Sequence, residues 1–198
     1  MIPLCLTLLF LDRGTRITHN TTIRTIPTLL ETWEVSLQFY ITLFETGGLK
    51  NILRLTNTDT NSGNLGDRIL AIWMRAESKQ LHVYSEISHP PHNPPDLYII
   101  NQFIHTDPLS ANTWYNLTVR QFFDRGEFLL RVFLNEEQIH ERLVRYTPKT
   151  YTNVTVYVSD QFNPPAIMGW VDNLTITTGR CFKVLKSISA LIRFYSIL

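Results

Sequence analysis

The stretch Trp33-Glu-Val-Ser-Leu-Gln-Phe-Tyr-Ile-Thr-Leu43 alternates apolar and polar side chains without interruption. Successive side chains of a β-strand point to opposite faces, so a period of two is typical of a strand with one buried face. A helix would scatter the same apolar residues around its circumference. The stretch therefore predicts a strand whose apolar side chains, from Trp33 to Leu43, all point toward a core.

Similar short runs follow, and turn-forming residues such as Gly47-Gly48 and Asp124-Arg-Gly126 separate them. The runs cover residues 51–56, 68–75, 81–87, 114–122, 128–134, 154–158 and 169–177. Short strands at this spacing, without alternating helices, predict an all-β fold: an antiparallel two-sheet jelly-roll sandwich. The predicted core comprises Trp33, Val35, Leu37, Phe39, Ile41, Leu117, Val119, Leu130, Val132, Val154 and Val156.

Composition limits the classes of function. A chain of 198 residues with 44% hydrophobic residues is long and apolar enough for one domain with a sizeable core. The net charge is +1 and the basic residues are spread along the chain, which argues against nucleic acid as a partner. Cys5 and Cys181 lie near opposite ends, and neither has a second cysteine at zinc-ligand or redox spacing.

The two ends differ from the middle of the chain. Residues 1–21 begin with an apolar run that is either signal-like or a first strand. Residues 22–178 form the predicted sandwich domain. Residues 179–198 are an apolar and basic tail, interpreted as a docking helix, as sequence from outside the domain, or as an amphipathic helix at a membrane surface. The last of these is the one expected membrane contact.

Several strand motifs come in a characteristic order, among them Gly66-Asp-Arg-Ile-Leu-Ala-Ile-Trp73, Asn112-Thr-Trp-Tyr-Asn-Leu-Thr118, Val154-Thr-Val-Tyr-Val-Ser-Asp160 and Gly169-Trp-Val-Asp-Asn-Leu174. Their order and spacing resemble the laminin-G-like and pentraxin-like branch of the concanavalin A-like jelly rolls, and in particular a set of poorly characterised animal extracellular domains. The resemblance covers about Thr22 to Thr178.

This resemblance implies two antiparallel sheets, secretion or display at the cell surface, and binding of a glycan or an extracellular protein. It also implies that calcium is a candidate ligand, because some relatives bind it at a rim of the sandwich. One departure is the turn at Asn135-Glu136, where relatives tend to have Asn-Gly. A two-residue type I′ turn needs positive φ at both central positions, so glutamate here predicts a longer loop.

Four sequons of the Asn-x-Ser/Thr type mark candidate N-glycosylation sites at Asn20, Asn116, Asn153 and Asn173. Alternation places the side chains of Asn116, Asn153 and Asn173 on the solvent side of their strands, where a bulky sugar would not disturb the core. The alternative is that these residues are ordinary polar filling of a solvated face.

Catalytic motifs are not found in the sequence. Glucan-cleaving enzymes of this fold resemble one another in a Glu-x-Asp-x-Glu strand, which the chain lacks. Glu136, Glu137 and Glu141 are predicted to lie solvated around a turn. A non-catalytic module is therefore expected, and a degenerate glycoside-hydrolase-like domain is the weakest of the alternatives.

Two loops are candidates for a ligand site: residues 57–67, rich in Asn, Asp and Gly, and residues 88–96, which hold four prolines with His89 and His92. Oxygen-rich loops suit calcium, and Asp59, Asp67 and Asp160 are the predicted rim ligands, with Asp172 as a further acidic oxygen. The alternative is that both loops are inert and solvated.

The four tryptophans, Trp33, Trp73, Trp114 and Trp170, could stack on sugars if exposed, but core packing is predicted for at least three of them. The leading hypothesis is an extracellular module that binds a glycan or glycoprotein. The rival is a structural adhesion or matrix domain that binds protein through a sheet face.

Overall fold

The computed structural model describes residues 6–9, 14–44, 47–61, 65–85, 102–144, 148–162 and 167–179. Within these ranges the chain forms strands and no helix. The strands are β1 (Leu6–Leu9), β2 (Thr15–Arg16), β3 (Thr21–Leu29), β4 (Trp33–Phe44), β5 (Leu49–Thr56), β6 (Leu70–Arg75), β7 (Gln80–Ser85), β8 (Gln102–His105), β9 (Thr113–Asp124), β10 (Glu127–Leu134), β11 (Glu137–Val144), β12 (Tyr151–Val158) and β13 (Ile167–Thr178).

These strands form two antiparallel sheets. The larger sheet has the order β1-β13-β4-β9-β10-β11, with β2 also paired to β13, and the smaller sheet has the order β3-β12-β5-β6-β7-β8. One hydrophobic core fills the space between them. The predicted all-β antiparallel sandwich is confirmed, and all eleven predicted core residues are buried.

The alternation of β4 breaks at its end. Leu43 was expected in the core, but it is 54% exposed. The pairing with β13 shifts register between Met168 and Gly169, so that Ile41 faces Gly169 and Leu43 faces Met168. Such a bulge turns the following side chain to the other face. Only glycine fits at position 169, because a Cβ there would overlap the carbonyl oxygen of Tyr40.

The turn between β10 and β11 is shorter than predicted. Leu134 pairs with Glu137, which leaves Asn135 and Glu136 as a two-residue loop. Both have positive φ, 50° and 69°, so the expectation of a longer loop is wrong. Asn135 is anchored from both sides, since its N–H donates to the carbonyl of Asn116 and its Oδ1 accepts from the Asn116 N–H, each at 2.8–2.9 Å. These bonds hold the turn tight despite the glutamate.

The N-terminal part of the chain pairs with the last strand, β13. Leu6–Leu9 forms a strand that pairs with Thr175–Thr178, so part of residues 1–21 belongs to the larger sheet. The sandwich therefore begins before residue 22. Cys5, Cys181, His89, His92, the loop 88–96 and the tail beyond Gly179 lie outside the described residues. Among the described residues, none belongs to a helix that is long and apolar enough to cross a membrane.

Candidate functional site on the outer face of the larger sheet

Three aromatic side chains form a row across neighbouring strands of the larger sheet. Tyr40 on β4 lies opposite Trp114 on β9 and opposite Trp170 on β13. Phe39 and Ile41, the neighbours of Tyr40 in the chain, point into the core. Alternation therefore places Tyr40 and its two partners on the outer face of the sheet. We call Trp170, Tyr40 and Trp114 the aromatic row.

The aromatic row is open to solvent. Trp114 is 48% exposed and Trp170 is 37% exposed. The ring of Tyr40 lies between them, with centroids 5.2 Å from Trp114 and 5.8 Å from Trp170. These separations are typical of aromatic rings in contact. The three rings thus form a contiguous apolar surface that is assembled before any ligand binds. Aromatic rings packed in this way are more common in a protein core.

Side-chain amides lie directly beside the aromatic row. Gln38 is two residues from Tyr40 on β4 and pairs with Asn116 on β9. Its Nε2 donates to Asn116 Oδ1 at 2.8 Å, and its Oε1 accepts from Asn173 Nδ2 at 2.8 Å. We call Gln38, Asn116 and Asn173 the amide row. The hydrogen bonds fix the orientation of these groups in the plane of the sheet.

Charged side chains of both signs flank the aromatic row. Arg16 on β2 is exposed and pairs with Trp170, and Asp172 follows Trp170 on the same strand. The Asp172 carboxylate accepts a hydrogen bond from the Asn173 N–H at 2.7 Å. The face therefore offers a cation and an anion close together, rather than a field of one sign.

A further row of charges crosses the same face. Glu34 pairs with Arg120, Arg120 with Arg131, and Arg131 with Glu141. Arg131 forms an ion pair with Glu141, which lies in β11 and not at the predicted turn. Burial raises the pKa of Glu34, and the nearby Arg120 opposes part of that rise. Burial also lowers the pKa of Arg120, whose guanidinium lies over the rings of two phenylalanines, Phe122 and Phe133.

The predicted calcium ligands lie elsewhere, on the outer side of the smaller sheet. Arg54 on β5 is fully buried there. Its Nη1 donates to Asp160 Oδ2 at 3.1 Å, and its Nε donates to the backbone carbonyl of Asp67 at 2.8 Å. The Asp67 carboxylate accepts hydrogen bonds from the hydroxyls of Thr58 and Thr60. The described parts of this loop, residues 57–61 and 65–67, are thus held against the sheet around an arginine.

Asp59 has a hydrogen-bond partner different from those of the other two predicted ligands. It is exposed, and its Oδ1 accepts a hydrogen bond from the Tyr157 hydroxyl at 2.9 Å. Within the part of the chain that the structure describes, no group of three or more His, Cys, Asp or Glu side chains is placed to hold a metal ion. Arg54 is a cation in direct contact with Asp160 and with the backbone of Asp67, and Arg68 also lies near enough to interact electrostatically with both aspartates. Calcium at Asp59, Asp67 and Asp160 therefore stays a prediction.

The four candidate glycosylation sites are all exposed. Alternation anticipated this for Asn116, Asn153 and Asn173, and the structure agrees, with Asn20 exposed as well. The prediction for the tryptophans is wrong, because only Trp33 and Trp73 are buried, at 2% and 4%. Trp114 has the same parity on β9 as Asn116, which had already been placed outward. That parity was the available signal for the aromatic row.

Comparison with known proteins identifies the fold of this chain but no family to which it belongs. No protein-family model matches the chain, and no curated protein sequence matches it. Solved structures do match. The Ruminococcus gnavus IT-sialidase CBM40 bound to alpha2,3 sialyllactose superposes with a TM-score of 0.55 at 9% identity, over 87% of this chain and 91% of that one. A heptameric SAP-like pentraxin from Limulus polyphemus gives 0.53 at 10% identity, over 86% and 75%.

The receptor binding domain of botulinum neurotoxin D gives a TM-score of 0.55 at 12% identity, over 88% of this chain but only 44% of that one. This chain thus spans less than half the length of the toxin domain. An enzyme shares the scaffold as well: an endo-beta-1,4-glucuronan lyase from Trichoderma reesei matches with 0.50 at 13% identity, over 89% and 81%. At these identities the matches show the fold alone. The chain is an antiparallel two-sheet jelly-roll sandwich, and it shares this fold with the sandwich domains named above.

Proposed function

We propose that this chain is a non-catalytic extracellular module that binds a glycan, free or carried on a glycoprotein, through the outer face of its larger sheet. The observation that carries the proposal is the aromatic row, which presents two exposed tryptophans around Tyr40 on three neighbouring strands. This observation supports a binding role, because contiguous exposed apolar patches on soluble domains are typical of interaction sites.

The chemistry of the face suits a sugar. The C–H side of a pyranose ring is apolar and packs on the flat face of an indole, while its hydroxyls need donors and acceptors at the edge. The amide row supplies both kinds of group beside the tryptophans, with Gln38 held by Asn116 and Asn173. Groups fixed before binding lose little conformational entropy when the ligand arrives.

The same face does not favour glycoside hydrolysis. Such catalysis needs two carboxyl groups about 5–9.5 Å apart. Glu34 and Glu141 lie on one row but three strands apart, roughly 14 Å at about 4.8 Å per strand. Arg120 and Arg131 lie between them. This spacing supports a binding role over the degenerate-hydrolase alternative.

The extracellular location is part of the proposal and rests on the exposed sequons together with the resemblance to the laminin-G-like and pentraxin-like branch. All four acceptor asparagines are in solvent. A sugar on each is compatible with the folded core. Expression through a secretory pathway should therefore give a protein whose mass falls on treatment with an N-glycosidase.

A glycan array tests the binding function. The unglycosylated protein, made in a host that attaches no N-glycans, should bind a subset of oligosaccharides, and Trp114→Ala and Trp170→Ala should each weaken that binding at least tenfold. Phe123→Ala is the matched control, since Phe123 is an equally exposed aromatic at the far end of β9. Equal melting temperatures would show that the variants remain folded.

Two results would overturn the proposal. Binding that survives both tryptophan substitutions would place the site elsewhere on the sandwich. An array without any bound oligosaccharide, together with capture of a protein partner that depends on Trp114, would favour the rival adhesion domain, which uses the same face against protein.

A further inference from the structure

We infer that Asn116 is an N-glycosylation site whose sugar covers the aromatic row, so that glycosylation at this one position closes the binding face. The inference rests on the proposed function for its consequence, but the covering of the tryptophans can be measured without a ligand. It follows from the position of Asn116, from the atom that it leaves free, and from the contrast with the other three sequons.

The position of Asn116 in the sheet brings an attached sugar close to the aromatic row. Asn116-Leu-Thr118 is a sequon in the middle of β9, not in a loop. Asn116 is exposed and lies on the same face as Trp114, two residues away along the strand, or about 7 Å. It pairs across the sheet with Gln38, beside Tyr40. A bulky sugar attached at this point starts in contact range of the aromatic row.

A sugar would be attached to Nδ2 of Asn116, and the described hydrogen bonds leave this atom without an acceptor. Its Oδ1 accepts the hydrogen bond from Gln38, and no described residue accepts one from its Nδ2. Its backbone N–H and carbonyl are held by Asn135 in the turn between β10 and β11. A sugar on Nδ2 therefore leaves every one of these bonds in place, and the backbone cannot swing the sugar away from the sheet.

The other sequons differ. Asn173 also lies on this face, but one of the two N–H groups of its Nδ2 already donates to Gln38 Oε1, so only the other N–H is open to a sugar. Asn153 is on β12 and Asn20 directly precedes β3, and both strands belong to the smaller sheet. Sugars at Asn20 and Asn153 lie away from the aromatic row. Asn116 is therefore the position where glycosylation and ligand binding exclude each other.

Fluorescence quenching by acrylamide tests the covering directly. Trp33 and Trp73 are buried, so quenching reports on Trp114 and Trp170. Protein from a glycosylating host should be quenched at least twofold less than the variant Thr118→Val from the same host. That variant removes the sequon and keeps the Asn116 side chain. The two proteins should be quenched equally when made in a host without N-glycosylation.

Controls separate covering from misfolding. Thr155→Val removes the Asn153 sequon on the smaller sheet and should leave quenching unchanged. Thr118 Oγ1 lies 2.8 Å from Ser36 Oγ, so Thr118→Val loses one hydrogen bond. Asn116→Gln, which removes the sequon and keeps Thr118, gives a second route if the first variant is unstable.

Binding of oligosaccharides then tests whether a sugar at Asn116 closes the binding face. The ligands for this test are the oligosaccharides that the unglycosylated protein binds on the array. Glycosylated wild type should bind them at least tenfold more weakly than glycosylated Thr118→Val does. Absence of sugar at Asn116 by mass spectrometry, or a sugar that leaves quenching unchanged, would overturn the inference. If quenching falls but the unglycosylated protein binds no oligosaccharide, the covering stands and the proposed function fails.

Discussion

The guanidinium of Arg54 lies 3.1 Å from the carboxylate of Asp160, and both side chains are closed to solvent. Arg54 belongs to a strand, whereas Asp160 follows the end of β12, and the same arginine binds the backbone of Asp67. One buried cation thus joins β5 to two separate segments outside the core. Oxygen-rich segments that resemble a ligand loop in the sequence supply the hydrogen-bond acceptors for this arginine.

Replacement of Arg54 should therefore be costly. Arg54→Met leaves Asp160 buried without its partner, and breaking a buried pair in this way typically costs about 3–5 kcal/mol. Arg131→Met is the matched control, because the Arg131–Glu141 pair is partly exposed, at 25% and 40%. A pair of that kind contributes about 1 kcal/mol or less. Urea unfolding measures both, and similar losses in the two variants would contradict this role for Arg54.

The tight turn at Asn135-Glu136 predicts an improvement in stability. Glu136 is exposed and has a φ of 69°, a conformation that costs a side-chain-bearing residue roughly 1–2 kcal/mol relative to the right-handed region. Glu136→Gly should raise the free energy of unfolding by up to about 1 kcal/mol, because glycine adopts this φ readily and loses only chain entropy.

The neighbouring Glu137 provides the control for that variant. It is equally exposed but lies in β11, so Glu137→Gly should lower the free energy of unfolding by roughly 0.5–1 kcal/mol. Thermal or urea unfolding distinguishes the two signs. A loss in both variants would mean that the turn is not strained at Glu136.

Alternation predicts most of the core because it depends only on neighbours in the chain. Val35, Leu37 and Phe39 are buried as their period of two requires. The same rule, applied to Trp114 through its parity with Asn116, would have placed that tryptophan in solvent. The prediction that at least three of the four tryptophans pack in the core rests instead on their places at strand starts or in apolar runs. Part of the candidate site, the exposed Trp114, could therefore be predicted from the sequence.

Other features depend on contacts between distant segments, which no local pattern contains. The exposure of Leu43 comes from a register shift against β13, more than 120 residues away in the chain. The burial of Arg54 comes from two segments that fold over its strand. The pairing of Leu6–Leu9 with β13 likewise joins the two ends of the domain. Each of these features is a matter of tertiary structure.

The register shift near the end of β4 can be tested with two residues of the same apparent parity. Ile41 is fully buried and Leu43 is 54% exposed. Ile41→Ala should cost about 2–5 kcal/mol, the range for a buried large-to-small substitution. Leu43→Ala should change stability by about 0.5 kcal/mol or less, as at other surface positions. Comparable losses at both positions would show a β4 without the bulge.

The raised pKa of Glu34 predicts how stability depends on pH. Burial is the larger cause of the rise, and Arg120 opposes it. A carboxyl group with a raised folded-state pKa binds its proton more tightly when folded. Its stabilisation is full below the ordinary glutamate value, about 4.3, and is lost as pH rises through the folded value. Glu34→Gln removes this titration.

The stability of Glu34→Gln relative to wild type should therefore increase as pH rises from about 4 toward neutrality, because only the wild type must then hold a charged carboxylate in a half-buried position. Unfolding by urea across this range measures the difference. If the advantage of Glu34→Gln shrinks toward neutral pH, attraction to Arg120 outweighs burial, and the outer face holds Glu34 as an ion-pair partner instead.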